Sequence, residues 1–348
     1  MKAARYYGIQ DVRLEDVPEP NPGLGELQIA VSYNGICGTD LHEYFDGPRT
    51  VPLTPHPLTG VSAPVILGHE AIGIVSGVGK GVEGVKEGQL VAIEPTRFCH
   101  SCEQCAAGNH NLCDTLAFHG YATEGGGLAE FTVVPSESVY AIPSGVAELE
   151  AAVIEPMAVA LHAVKRWPLA PGGRAAIFGG GPIGLGILLC LKAQGVDDVI
   201  VIEPAPDRRS VAAGFGAQVI DPLATNAVEQ VRVLTKGRGA DVSFETAGAP
   251  TTFHAAIGAT AKGGAVVLLT SGRHEVIAPL GQLMANEITL RTSYAYNNEF
   301  PEVISMMQDG AFPVATWVQT APLSDLLNSF ELLRRGEAIK LLIDPRSK

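Results

Sequence analysis

Arg174-Ala-Ala-Ile-Phe-Gly-Gly-Gly-Pro-Ile-Gly-Leu-Gly-Ile-Leu-Leu-Cys-Leu-Lys-Ala-Gln-Gly-Val-Asp-Asp-Val-Ile-Val-Ile-Glu203 decides the architecture of the second half of this chain. Residues 175–178 read as a short buried strand, 183–194 as a helix, and 199–202 as the next strand, which ends at Glu203. Between the first strand and the helix, Gly179-Gly-Gly-Pro-Ile-Gly184 matches G-x-G-x-x-G. Gly179, Gly181 and Gly184 permit a tight turn, close approach of a diphosphate, and packing of helix on strand. Pro182 and Ile183 open the helix, whose N-terminus offers free N–H groups to an anion. Such a glycine pattern is weak alone; set strand–loop–helix–strand with an acid ending the second strand, it is strong. Glu203 is placed to accept hydrogen bonds from adenosine ribose hydroxyls and to repel a 2′-phosphate, which favours NAD over NADP. Arg208 and Arg209 follow closely and would favour a 2′-phosphate instead.

Strand and helix signals keep alternating beyond this unit. Strands are expected at 218–220, 242–245, 265–269 and 288–294, with helices at 207–215, 227–235 and 251–260. Six strands with crossovers make a complete doubly wound parallel sheet of the Rossmann type, an α/β domain. Cys190 falls on the apolar face of the first helix and reads as core. From Asn298 the pattern gives a helix through Met307, another over 324–335, and a closing strand at 339–343 that returns to the N-terminal domain.

The first half reads as β-structure, with short strands at 2–7, 12–17 and 27–33 and no long helical pattern before about residue 150. Its third strand runs into Gly35-Ile-Cys-Gly-Thr-Asp-Leu-His42. Cys37, between glycines at a strand end, suits an exposed thiolate ligand; the plain alternative is a small buried hydrophobe. Thr39 and His42 follow closely enough to form a hydroxyl–imidazole proton relay. The proline-rich connection over 43–63 is expected to be irregular and to wall a substrate pocket, with His56 in a loop hydrogen bond. Gly68-His69-Glu70 comes next, between Pro64-Val-Ile-Leu67 and the glycines Gly73, Gly77, Gly79 and Gly81. An imidazole and a carboxylate are ordinary zinc ligands, but two ligands do not close a site. Glu155 is a further carboxylate. It precedes Pro156 inside a helical pattern over 149–166, so it stands at a helix start, where it serves the dipole or points at a metal.

Cys99, Cys102, Cys105 and Cys113 are spaced C-x2-C-x2-C-x7-C. Four thiolates close a tetrahedral shell with no open position, which is how a structural zinc is held. Two disulfides are the competing reading, and cysteines so close together in a cytosolic protein oppose it. An iron–sulfur cluster usually has proline after its last ligand, whereas Cys113 precedes Asp114. A nucleic-acid zinc ribbon would need basic residues around the knuckles, and Glu103 and Asp114 stand against Arg97 here.

Composition narrows the classes further. The chain of 348 residues is long enough for two domains, and 46% hydrophobic with 18% charged residues describes a soluble globular protein. A net charge of −13 argues against nucleic acid or an anionic membrane as partner. The segment 1–14 lacks the apolar core of a signal peptide. The longest uncharged run, 175–191, is broken by glycines and Pro182, so it reads as strand, loop and buried helix rather than a membrane span. A cytoplasmic protein is expected.

Taken together, Cys37-Gly-Thr-Asp, Gly68-His-Glu70 with Gly73 and Gly79, the four-cysteine lobe, and Gly179-Gly-Gly-Pro-Ile-Gly184 resemble the zinc-dependent medium-chain dehydrogenase family over essentially the whole chain. The resemblance implies a GroES-like β-barrel catalytic domain over 1–155, carrying the structural-zinc lobe near 95–115. A Rossmann NAD-binding domain over 156–296 follows, and 297–348 return to the catalytic domain. It also implies a catalytic zinc on Cys37, His69 and Glu70 or Glu155, and a structural zinc on Cys99, Cys102, Cys105 and Cys113. Two Zn²⁺ per chain, NAD(H), and a homodimer or homotetramer complete the expectation. Zinc would act as a Lewis acid on the substrate oxygen, and Thr39 with His42 would carry the proton away. Within the family, Asp40-Leu-His-Glu-Tyr44, Asp46-Gly-Pro48, His56-Pro-Leu-Thr-Gly60 and Glu155-Pro-Met-Ala-Val159 look like the branch acting on (R,R)-2,3-butanediol and acetoin. The polyol (sorbitol) and L-threonine 3-dehydrogenase branches share fewer of these. The segment Phe118-His-Gly-Tyr-Ala-Thr-Glu124 departs from the butanediol pattern.

Overall fold

The computed structural model describes residues 1–270 and 275–347. Its contacts cluster into two units, one of Met1–Glu155 with Phe300–Lys348 and one of Pro156–Glu299. Among the described residues, no helix is long and apolar enough to cross a membrane.

The first unit is β-rich. Its principal sheet runs, in spatial order, Val139–Ala141, Leu90–Ile93, Glu70–Val78, Glu26–Gly35, Lys340–Asp344 and Val318–Pro322, with Phe131–Pro135 also paired to Glu26–Gly35. We call Glu26–Gly35 β1 and Glu70–Val78 β2. Their antiparallel pairing puts Leu27, Ile29, Val31, Ala71 and Val75 into one buried apolar cluster. A second cluster joins Tyr6, Ile36, Leu67, Tyr121, Leu326, Phe330 and Ile343, so the C-terminal segment is part of this unit's core. The expected closing strand is present and pairs antiparallel to β1, Leu342 opposite Gly35. The partner strand Val318–Pro322 was not foreseen: only Val318 along it is buried, so it lacks a periodic apolar signal.

Cys37 stands two residues past the end of β1, beside the strand end expected for it. It caps a helix, α1 (Gly38–Asp46), that the sequence reading left out. The reason is local: the Asp40 carboxylate accepts the Cys37 backbone N–H at 2.9 Å, satisfying an otherwise unpaired donor of the first turn. Beyond α1 the proline-rich stretch is irregular as far as Pro64. His56 takes the Leu58 N–H on Nδ1 at 3.2 Å, a loop hydrogen bond as expected.

In the second unit the sheet order is Gln218–Ile220, Asp198–Ile202, Arg174–Phe178, Ala240–Glu245, Thr260–Leu268 and Thr289–Thr292, all parallel. In order of appearance that is 3-2-1-4-5-6, the doubly wound arrangement of dinucleotide-binding folds. The helix Leu280–Ala285 was not anticipated, being six residues long and too short to show a 3.6-residue period. Cys190 is fully buried in the first helix.

His119 links two pieces of the first unit. Its ring nitrogens meet Thr132 Oγ1 at 2.8 Å and Thr123 Oγ1 at 3.1 Å, and the residue is 1% exposed. Burial first, then the charge of Arg97, pushes its pKa down to about 3. The folded state therefore binds fewer protons here than the unfolded one. The contribution to stability is present above the unfolded value near 6.5 and is lost as pH falls toward about 3. We expect the urea midpoint of His119→Gln to lie below wild type at pH 7, and to depend less steeply on pH between 6.5 and 4.5. Parallel pH dependences would remove His119 from the acid response.

Candidate active site and metal centres

Strand register brings together residues that are far apart in the chain. Gly35 at the end of β1 pairs with Glu70, the first residue of β2, on one side and with Leu342 on the other. Gly35 has no side chain to obstruct what meets over it: a Cβ there would run into the Glu70 carboxylate and come within 2.9 Å of Lys340 Cε. Through that gap the Lys340 ammonium donates to Glu70 Oε2, and to the Ile36 carbonyl at 3.0 Å. Both residues are buried, at 1% and 2% exposure. Burial opposes the charge on Lys340, but Glu70 and the Cys37 sulfur more than offset it and hold its pKa above the ordinary lysine value. Removing either partner would strand the other charge in the interior. No sequence signal pointed to Lys340.

Beside this pair, one ligand atom each from Cys37, His69 and Glu70 lie within 4.8 Å of one another. A thiolate, an imidazole and a carboxylate are three protein ligands of the kinds found at catalytic zinc sites, with a fourth position left for water or substrate. The imidazole is oriented from behind. Its Nδ1 faces Asp40 Oδ1 at 3.6 Å, which leaves Nε2 for a metal. Burial would lower the pKa of His69, but the Asp40 charge, helped by Cys37, raises it well above the usual histidine value. Asp40 itself is fully buried; burial favours its neutral form, and His69 outweighs that and lowers its pKa. Two of its close donors are the Cys37 N–H at 2.9 Å and the Tyr121 hydroxyl at 2.8 Å. Asp40, Tyr121 and Lys340 are the site residues the sequence reading missed. Of the three, only Asp40 left a trace, as the acid three residues after a helix-capping position.

Thr39 Oγ1 lies 3.7 Å from Cys37 Sγ. His42, one turn further along α1, is half exposed and meets Asp46 Oδ2 through Nδ1 at 3.2 Å. The three polar side chains of Thr39, His42 and Asp46 follow helical spacing and share one face of α1. Glu155 begins the helix Ile154–Arg166 and is 9% exposed. It does not join Cys37, His69 and Glu70 within the 4.8 Å grouping. Burial, reinforced by the Glu70 charge, pushes its pKa up to about 8, with His69 and Lys340 acting the other way.

The four lobe cysteines form a second group with sulfurs within 4.8 Å of one another. Backbone N–H groups are aimed at these sulfurs: Cys102 to Cys99 Sγ at 3.3 Å, Cys105 to Cys102 Sγ at 3.4 Å, and Cys99 to Cys113 Sγ at 3.3 Å. Hydrogen bonds from Ser101 are the largest influence on Cys99, whose pKa falls to about 5. Amides directed at sulfur favour thiolates, so this donor set fits a tetrahedral Zn²⁺. None of the six cysteines is paired in a disulfide.

In the second unit, Gly179 has φ +112°, and a Cβ on Gly184 would strike the Gly179 carbonyl, so neither position tolerates a side chain. Glu203 is buried at the foot of this loop and accepts from Gly180 N at 2.7 Å and Ala205 N at 2.8 Å, one on each oxygen. A carboxylate has lone pairs for about four donors, so room remains for ribose hydroxyls. The two arginines differ. Arg209 is committed to Asp221 at 2.9 Å and to the Glu203 carbonyl at 2.8 Å. Arg208 has a buried Nε without a hydrogen-bond partner, and its Nη1 lies 3.8 Å from where a Gly181 Cβ would be.

Comparison with known proteins gives the family. Residues 23–144 match the alcohol dehydrogenase GroES-like domain, and residues 182–309 match the zinc-binding dehydrogenase family. The chain is 37% identical to (R,R)-butanediol dehydrogenase of Bacillus subtilis over 99% of its own length and 100% of the relative's. It is 35% identical to sorbitol dehydrogenase of the same organism, covering 89% of this chain and 86% of that one. The crystal structure of 2R,3R-butanediol dehydrogenase from Bacillus subtilis superimposes with a TM-score of 0.93 at 36% identity, over 99% of each chain. The chain thus belongs to the zinc-dependent medium-chain dehydrogenases, oxidoreductases that join a GroES-like domain to a nucleotide-binding Rossmann domain.

Proposed function

We propose that this protein interconverts a vicinal diol and its hydroxyketone with NAD(H), and that (R,R)-2,3-butanediol and acetoin are its substrates. The observation that carries the proposal is the Cys37–His69–Glu70 ligand group in a chain similar over its full length to (R,R)-butanediol dehydrogenase. A polyol of the sorbitol type is the second reading, favoured by the likeness to sorbitol dehydrogenase and by the Glu155-Pro156 pair. In this reading, residues 1–155 with 297–348 form the catalytic domain and 156–296 the NAD-binding domain. Cysteines outside any disulfide suit a cytoplasmic setting.

Zinc bound by Cys37, His69 and one carboxylate supplies a Lewis acid for the substrate oxygen, and the dinucleotide supplies the hydride acceptor. Thr39 receives the hydroxyl proton, and His42, turned by Asp46, passes it to solvent. Cys37, Asp40 and Glu70 would bring three negative charges, which Lys340 with a bound Zn²⁺ would balance, so the set would be neutral before Glu155 ionises. Glu155 and Glu70 therefore do not both serve as tight anionic ligands during turnover. Glu70, with Lys340 behind it, and Glu155 are the two carboxylates that would share the remaining ligand position. Glu203 holds the adenosine ribose, and the amides of Gly179–Gly184 hold the diphosphate.

NADH formation followed at 340 nm should be fastest with (R,R)-2,3-butanediol in a panel of secondary alcohols, diol stereoisomers and polyols. Cys37→Ser should abolish turnover in every case while leaving the fold intact. A clear preference for sorbitol or xylitol would replace the substrate assignment, and a fully active Cys37→Ser variant would end the zinc mechanism.

Glu203→Ala should raise KM for NAD and narrow its advantage over NADP. A charge-assisted hydrogen bond is worth roughly 1.5–3 kcal/mol, or about ten- to a hundredfold. Wild-type preference for NADP would instead assign the selectivity to Arg208.

The Rossmann sheet ends on Thr289–Thr292, an edge strand whose side chains are largely exposed, flanked by exposed Tyr294 and Met284. An edge strand with one face of its backbone outside the sheet and Leu290 exposed invites pairing with a second copy, and we assign a homodimer or homotetramer to it. Leu290→Lys should shift the sedimentation coefficient toward that of a monomer. A wild-type chain that already sediments as a monomer would exclude the assembly.

A further inference from the structure

The segment that departs from the butanediol pattern, Phe118–Glu124, packs on the loop carrying His69. Gly120, at φ +86°, lies so close that a Cβ would strike the Gly68 carbonyl. The same carbonyl accepts the Gly127 N–H at 2.8 Å. His119 anchors the segment to Thr132, on the strand paired with β1. From this platform Tyr121, 2% exposed, reaches inward and makes two contacts. Its ring lies on the His69 imidazole with centroids 4.8 Å apart and planes at 39°. Its hydroxyl donates to Asp40 Oδ1 at 2.8 Å.

The distances around Asp40 define the arrangement. Oδ2 is held by the Cys37 N–H at 2.9 Å and Oδ1 by Tyr121 at 2.8 Å, while His69 Nδ1 stands at 3.6 Å from Oδ1 and has no hydrogen-bond partner within normal range. Asp40 is therefore held in place by Cys37 and Tyr121 rather than by the histidine it supports. We propose that Tyr121 is a positioning residue for the catalytic zinc: through its hydroxyl it fixes Asp40, and through its ring it fixes the plane of His69. Two of the metal's ligands, Cys37 and His69, are thereby tied to one carboxylate whose position a third residue sets. Outer groups of this kind orient imidazole ligands and set how firmly the metal is retained. This rests on the reading of Cys37 and His69 as zinc ligands.

The test is release of zinc from the holoenzyme to a chromophoric chelator. Wild type should release two zincs in two phases, one of them absent in Cys37→Ser. Tyr121→Phe keeps the ring and removes the hydroxyl. It should speed the Cys37-dependent phase by roughly tenfold and leave the four-cysteine phase unmoved. In an Asp40→Asn background the same substitution should add little, because the hydroxyl acts through that carboxylate. Should Tyr121→Phe not fold, Tyr121→Leu, which removes both the hydroxyl and the ring, takes its place. Asp40→Asn alone must then speed the same phase at least as much as the tyrosine variant. An unchanged or slower phase in Tyr121→Phe, or full additivity with Asp40→Asn, would overturn the proposal. A wild-type chain with a single release phase would instead overturn the zinc reading beneath it.

Discussion

A buried ion pair, Glu70 with Lys340, is the constraint on which the first unit's site depends. Each group alone would be costly in a low-dielectric interior, and together they require a neighbour without a side chain, which Gly35 provides. Because the pair spans three adjacent strands, it ties the C-terminal strand Lys340–Asp344 to β1 and β2 at one register. That same register leaves Glu70 beside Cys37 and His69. Metal-ligand geometry and strand pairing are thus consequences of one placement, and a slip by one residue would turn Glu70 to the opposite face.

Around that pair the site is built outward in layers of compensating charge. Asp40 performs two jobs at once: it caps α1 by taking the Cys37 N–H, and it faces His69. Tyr121 and the glycine-rich turn behind it close the rear of the imidazole. Glu155 is the odd member, a carboxyl raised to about 8 because burial and the Glu70 charge both resist its ionisation. Perturbed carboxyls of this kind concentrate where chemistry is done. The four-cysteine lobe is the opposite kind of centre. Its sulfurs are surrounded by local backbone amides and need nothing from the distant chain.

This contrast explains how much was legible in the residues themselves. Motifs whose geometry is made by near neighbours could be read directly: the glycine loop of 179–184, the acid at 203, and the cysteines spaced for one tetrahedral shell. In each case the spacing dictates backbone geometry within a turn or two, and the Rossmann half follows because its strand–helix alternation is itself local. Cys37, His69 and Glu70 could be nominated as ligands from their residue types and flanking glycines, although His69 and Glu70 are buried. The helix following Cys37 was overlooked because its start depends on a side-chain cap at Asp40 rather than on apolar periodicity.

Only the tertiary structure supplied Lys340, Tyr121, and the arrangement that joins them to the ligands. Lys340 meets Glu70 across 270 residues of sequence, and Tyr121 meets Asp40 across 81. Contacts at such separations are set by which strands pair and in what register, and a lysine or tyrosine carries no mark of that in its immediate neighbours. The sequence by itself determined the chemistry available: thiolates, imidazole, carboxylates, and a diphosphate cradle. Which carboxylate has a cation behind it, and which imidazole has a tyrosine against it, was decided by packing, because buried charges take their energies from whatever the fold places beside them.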